Sequence, residues 1–99
     1  MIIRIYRGTV FAGKERAWQT VVEQQGIPWL RSQKGLVAFH PGRPLDGSGE
    51  RVFCMVMVWE SVDAIATAIG SDWKAPIYPD DSAKELIESS SVEHFELYS

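Results

Sequence analysis

Apolar and polar residues change their period several times along this chain, and each change marks an element. Residues 2 to 10 are rich in Ile, Tyr, Thr and Val and give way to Ala12-Gly13, the profile of a strand. On that strand Ile2, Arg4 and Tyr6 share one face, and Ile3, Ile5 and Arg7 share the other. From Lys14 to about Gln25 the period lengthens: Ala17, Trp18, Val21 and Val22 form one apolar stripe of a helix, with Glu15, Arg16, Gln19 and Glu23 pointing elsewhere. Gly26 and Pro28 then stop or kink this helix, or Pro28 opens a second short turn carrying Trp29 and Leu30.

A second strand is predicted over Leu36 to His40 and a third over Arg51 to Trp59, separated by the turn-rich segment Pro41 to Gly49. A loop of this length most simply closes a hairpin, so these two strands are expected to be antiparallel neighbours. Ser61 caps the next helix, with Asp63 in its first turn and Gly70 as its stop. Residues 71 to 81 read as an irregular connection carrying Trp73, Ile77 and Tyr78. Ser82-Ala83-Lys84-Glu85 has capping-box spacing for a short last helix through Leu86 and Ile87, and Val92 to Tyr98 forms a final strand.

The order β-α-β-β-α-(α)-β is that of an α+β, ferredoxin-like split βαβ fold: a four-stranded antiparallel sheet with helices on one face. A sheet wetted on its other face alternates apolar and polar residues, yet Val52 to Trp59 is apolar at every position and so is Leu36 to Phe39. Both faces therefore need cover, and the helices supply it for one. The expectation is a homodimer packed sheet on sheet.

Composition supports that reading. Ninety-nine residues make a single domain, 1 to 99, with a thin core, since a chain this small buries only about 60% of its unfolded surface. A net charge of −3 argues against nucleic acid or anionic membrane as partner. Residues 1 to 59 hold eight Lys and Arg against four Asp and Glu (+4), and residues 60 to 99 hold two against nine (−7); both sets read as solvated faces. Cys54 is the one cysteine, inside the apolar third strand, and reads as a buried thiol. No apolar run approaches the roughly 20 residues of a membrane span, so a cytoplasmic protein is expected. The chain has no Asn.

With the aromatic third strand ending Val58-Trp59-Glu60-Ser61, the helix running on to Gly70-Ser71-Asp72 and the closing Val92-Glu93-His94-Phe95-Glu96, the sequence resembles the antibiotic biosynthesis monooxygenase family over nearly its whole length. The resemblance implies a dimeric α/β-barrel with a pocket between sheet and helices, and oxygenation of a phenol- or quinol-like substrate by O₂ without metal, flavin or haem. An electron-rich phenol, once deprotonated, passes an electron to O₂ directly, so such a protein need supply only an apolar pocket, a base and hydrogen bonds to the anion. Haem-degrading members use an Asn on the first strand, a Trp in the second helix and a His after it; Tyr6, Ala68 and Tyr78 stand nearest those positions here, which argues against haem degradation.

Candidate catalytic groups are Tyr6, His40 and Tyr78, and candidate substrate contacts are Arg4, Trp59, Trp73 and His94. Each has a plainer alternative. Tyr6 is either a pocket hydroxyl or a core aromatic, and Arg4 either lines the same pocket or reaches solvent. The two imidazoles are either proton acceptors near neutral pH or, for His40 beside its turn and His94 on the last strand, surface groups. Trp59 reads as core or dimer interface as readily as a pocket wall, and Trp73 and Tyr78 either bind ligand or plug their loop onto the sheet. Two His and one Cys provide no metal-ligand spacing, and Gly42, Gly47 and Gly49 make no phosphate loop. Two functions stay open: a cofactor-independent monooxygenase, or a non-catalytic module of the same fold that binds a small hydrophobic ligand or a protein partner.

Overall fold

A computed structural model describes residues 1–98. Four strands, β1 (Ile2–Val10), β2 (Leu36–Gly42), β3 (Val52–Trp59) and β4 (Ile87–Glu96), form one sheet in the order β2-β3-β1-β4 with every neighbouring pair antiparallel. This is the split βαβ arrangement, because the two crossover connections place β1 and β3 at the centre. Helix α1 (Glu15–Val21), α2 (Ile27–Arg31) and α3 (Val62–Ile69) follow in chain order, with a single turn, α4 (Asp81–Lys84), before the last strand. Among the described residues no helix is long and apolar enough to cross a membrane.

Between α1 and α2 the chain neither stops nor starts again. Residues Val22–Gly26 form a π turn, in which Ile27 N–H reaches back five residues to Val22 O. Pro28 is the reason: it has no N–H to return to Gln24, and its ring would collide with that carbonyl in a regular helix, so the widened turn absorbs both. Of the outcomes expected at Gly26 and Pro28, a stop, a kink or a second short turn, the structure has the kink, with α2 running on through Trp29 and Leu30.

The last helix is also capped differently from the capping-box reading. Asp80, not Ser82, accepts the Ala83 N–H, at 2.8 Å, and the Ser82 hydroxyl donates to the same carboxylate at 2.7 Å. The helix ends at Lys84, and β4 begins at Ile87, five residues before the expected start. Ser89, Ser90 and Ser91, which lie between the expected helix and the expected strand, pair with β1 as strand.

Alternation sorts the strands into two faces. Ile2, Arg4, Tyr6, Gly8 and Val10 of β1 face the helices, as do Phe53, Met55, Met57 and Trp59 of β3. A bulge in β2 leaves Val37 without a register partner and turns both Leu36 and Phe39 toward the helices. The core is split in two. Val10, Trp18, Phe53 and Ala83 cluster at one end, Leu30, Met57, Trp59 and Ile65 at the other, and Tyr6 touches both. On the opposite face Ile3, Ile5, Val56 and Val58 are half-buried and Phe95 is 48% exposed.

α3 is seated by its cap and by a close approach. Ser61 Oγ accepts from Ala64 N–H at 3.1 Å, and a Cβ on Gly35 would meet Ala64 Cβ at 2.6 Å. Ser61→Ala is expected to cost about 1 kcal/mol, and Gly35→Ala about 1–3 kcal/mol through forced overpacking. Urea midpoints at unchanged m-value check both.

Candidate functional site

A cavity of about 360 Å³ opens where the two halves of the core fail to meet. Met55 and Met57 of β3 floor it, Trp18, Val22 and Trp29 wall it from the bent helix, and Ile77 and Tyr78 close it from the connecting segment. That volume lies in the range of small-molecule sites, and apolar side chains with a few polar groups are their usual lining. The π turn contributes directly, since Val22, Glu23 and Gly26 all line the space that its extra width creates.

Among the polar groups of the wall, which include Arg4, Gln19, Glu23 and Arg43, is a pair of phenols. Tyr6 Oη and Tyr78 Oη stand 3.1 Å apart with their rings edge to face, and Trp18 packs against both at centroid distances of 6.4 and 6.1 Å. Burial pushes the Tyr6 hydroxyl well above the ordinary phenol range, and the Tyr78 hydroxyl and its charge push the same way. Tyr6 thus keeps its proton at neutral pH, and either hydroxyl of the pair can donate to the other. Gly8 makes its position possible: a Cβ there would run into Tyr6 Oη and lie 2.8 Å from Cζ, so the phenol rests on bare backbone.

Arg4, two residues back on the same face, is only 2% exposed. Its Nη2 donates to Ala75 O at 2.8 Å, and its Nη1 donates to Trp73 O and, at 2.9 Å, to His94 Nε2. Burial lowers its pKa, although a guanidinium stays charged in a protein. Neither Arg4 nor His94 forms a salt bridge among the described residues. The guanidinium fastens the 71–81 segment, which carries Tyr78, across the end of the sheet.

Of the residues singled out in the sequence, Arg4, Tyr6 and Tyr78 meet at this cavity. The rest do not. His40 pairs with Val56 on the opposite, open face of the sheet and is exposed, because the β2 bulge sets its direction there; it cannot serve as a base in this chain's own cavity. Trp59 is fully buried under α3, its indole N–H without a partner among the described residues, and so is core rather than a ligand contact. Trp73 and His94 stack edge to face at 4.9 Å behind Arg4, outside the lining; Trp73 acts through its carbonyl as a strap residue. The cavity also uses Trp18, Trp29 and Arg43, which the sequence reading left in the helix stripe, a turn and a loop. Among the described residues no three His, Cys, Asp or Glu side chains converge as a metal site.

Because the Tyr6 ring occupies the space over Gly8, Gly8→Ala is expected to destabilise by about 1–3 kcal/mol. Adding Tyr6→Phe removes the nearest colliding atom, so the double variant should recover part of the loss. Additive losses in a double-mutant cycle would show that the contact is not the cause.

No protein-family model matches the sequence, and no curated protein matches it. Solved structures do match. A protein of Deinococcus radiodurans named as an antibiotic biosynthesis monooxygenase has a TM-score of 0.76 at 14% identity, over 100% of this chain and 94% of that one. SnoaB, a cofactor-independent oxygenase from Streptomyces nogalater, has a TM-score of 0.73 at 19% identity, over 99% of this chain and 93% of that one. A variant of MhuD, with two manganese protoporphyrin IX bound per active site, has a TM-score of 0.69 at 19% identity, over 98% of this chain and 94% of that one. The chain has the fold of the antibiotic biosynthesis monooxygenases, an α+β four-stranded antiparallel sheet with its helices on one face.

Proposed function

We propose that the chain is a cofactor-independent monooxygenase acting with O₂ on a small phenol-, quinol- or anthrone-like substrate held in the cavity. The observation that carries this reading is the Tyr6–Tyr78 hydroxyl pair set in the wall of a mostly apolar cavity, in a fold shared with SnoaB. An anthrone illustrates the balance: its CH₂ and O₂ become C=O and H₂O, with one oxygen atom retained. The substrate anion gives one electron to O₂, the two radicals combine as a peroxide, and loss of water leaves the carbonyl.

The protein's part is to bind the ring between Trp18 and the methionine floor, exclude water, and donate hydrogen bonds to the developing oxyanion from the phenol pair. Removing a preorganised donor of this kind costs about 10²-fold or more in turnover. A porphyrin of the kind MhuD holds does not suit these residues: no imidazole lines the cavity, and Arg4 occupies His94 Nε2. The same lack of an imidazole base favours the second reading, a non-catalytic module that binds a small hydrophobic ligand.

The reading includes a second copy of the chain. The open sheet face presents Ile3, Ile5, Val56, Val58 and Phe95, with the exposed Arg7–Glu93 ion pair and His40 as its polar members. A like face from another chain would cover it and would place His40 at the interface.

Oxygen uptake with a panel of quinols and anthrones should exceed the buffer rate and fall about 10²-fold in Tyr6→Phe and in Tyr78→Phe. Uptake equal to buffer, with the uncharged fluorophore phenylnaphthylamine still bound, selects the binding module. Sedimentation at micromolar concentration should give twice the 11.1 kDa chain mass, and a monomer would end the sheet-on-sheet proposal.

A further inference from the structure

The geometry points to an acid-released clamp: Arg4 and His94 hold the 71–81 segment shut over the cavity, and protonation of His94 lets it open. This rests on the cavity as a ligand site and not on oxygen chemistry, so a failed oxygen-uptake assay would leave it standing.

An arginine can only donate hydrogen bonds, so the 2.9 Å contact from Arg4 Nη1 requires a lone pair on His94 Nε2. The imidazole is therefore neutral in the closed arrangement, with its proton on Nδ1. The same Nη1 donates to Trp73 O, while Nη2 donates to Ala75 O, so one guanidinium is shared between the titratable ring and the backbone of the strap. A proton arriving on Nε2 would set N–H against N–H and cation against cation. Either the ring or Arg4 must then swing away, and where Arg4 moves both strap carbonyls lose their donor.

The surroundings oppose the proton. Arg4 faces His94 from β1, and Lys74 acts on it from the strap, where its Nζ lies 5.4 Å from the Trp73 ring. Glu96, two residues along β4 on the same face, lies opposite Ile2 and forms no salt bridge with the ring among the described residues. Burial first, then Arg4 and Lys74, hold the imidazole below its ordinary pKa of 6.5. The sign follows from linkage. The closed form binds the proton less readily than an opened, hydrated imidazole, so opening is favoured as pH falls below about 6.5, by up to tenfold per pH unit.

What opens is the wall that carries Ile77, Tyr78 and Pro79, whose removal would expose the cavity and part the Tyr6–Tyr78 pair. Besides Arg4, the strap is held by Trp73 packed against the Leu30–Trp59 cluster, by Tyr78 against Trp18 and Tyr6, and at its far end by Asp80 as the cap of α4; Ala75 N–H bonds to Asp72 O at 3.1 Å within the segment itself. The Asp80 carboxylate is held below the usual carboxylate range by the Ser82 hydroxyl and the Ala83 N–H.

Hydrogen exchange of the full chain, followed by NMR from about pH 7 to about pH 5, tests the clamp. Protection of the Ala75 amide should fall by up to tenfold per pH unit below about 6.5 while β1 and β3 amides keep theirs, and phenylnaphthylamine should dissociate correspondingly faster. In His94→Gln the carboxamide oxygen can accept from Arg4 and cannot titrate, so the strap should stay protected throughout. Flat protection in the wild type, or the same acid loss in His94→Gln, would overturn the proposal. Should that variant not fold, the wild type still decides: the His94 ring titration and the loss of Ala75 protection must share one midpoint, and separate midpoints refute the clamp.

Discussion

A guanidinium taken out of water must find acceptors, because burying an unsatisfied ion costs several kcal/mol even after relaxation. Arg4, on a central strand and 2% exposed, meets no carboxylate among the described residues, and its partners are two main-chain carbonyls some seventy residues away and one imidazole. The strap carrying Trp73 and Ala75 is therefore placed by the charge and not by its own preferences. Once it is placed, Tyr78 follows, and with it the hydroxyl contact to Tyr6 and the closing wall of the cavity.

The cavity is a consequence of how the core is divided. Two clusters of buried side chains sit at opposite ends of the sheet, and the aromatic residues between them line a space instead of filling it. In a chain of 99 residues, where every buried methylene counts, unfilled apolar volume forgoes stabilisation. Residues of the π turn before Pro28 line the space, and Gly8 lets the Tyr6 ring lie on the sheet. A proline and a glycine, each unfavourable inside a regular element, are thus spent on the shape of one site.

Strands β1 and β3, the capped helix α3 and the antiparallel hairpin were legible because their signals are local: alternation or its absence, a Ser61 cap, a Gly70 stop at positive φ, a turn-rich loop. The start of β4 was not, since three serines next to a short helix carry no strand signal of their own and are drafted into the sheet by pairing with β1. His40 shows the other limit. Its residue type suggested a proton acceptor, but one bulge at Val37 decides which face it occupies, and a single-residue slip reverses every side chain beyond it. Trp18 and Trp29 were read as core stripe and turn, and nothing in helical periodicity separates a stripe that meets a core from one that borders a cavity.

The sequence by itself determined the order and kind of the elements, the pairing of β2 with β3, the membership of Arg4 and Tyr6 in one face, and the apolar character of β3 on both faces, because each depends on residues close in the chain and on periods of 2 or 3.6. Tertiary structure alone decided which aromatics enclose a space, that Arg4 is a buried clamp rather than a surface charge, and that His94 is its acceptor while His40 stands apart. Those outcomes depend on contacts between residues seventy to ninety positions apart, where the need to satisfy a buried charge and to pack bulky rings acts only after the strands have met.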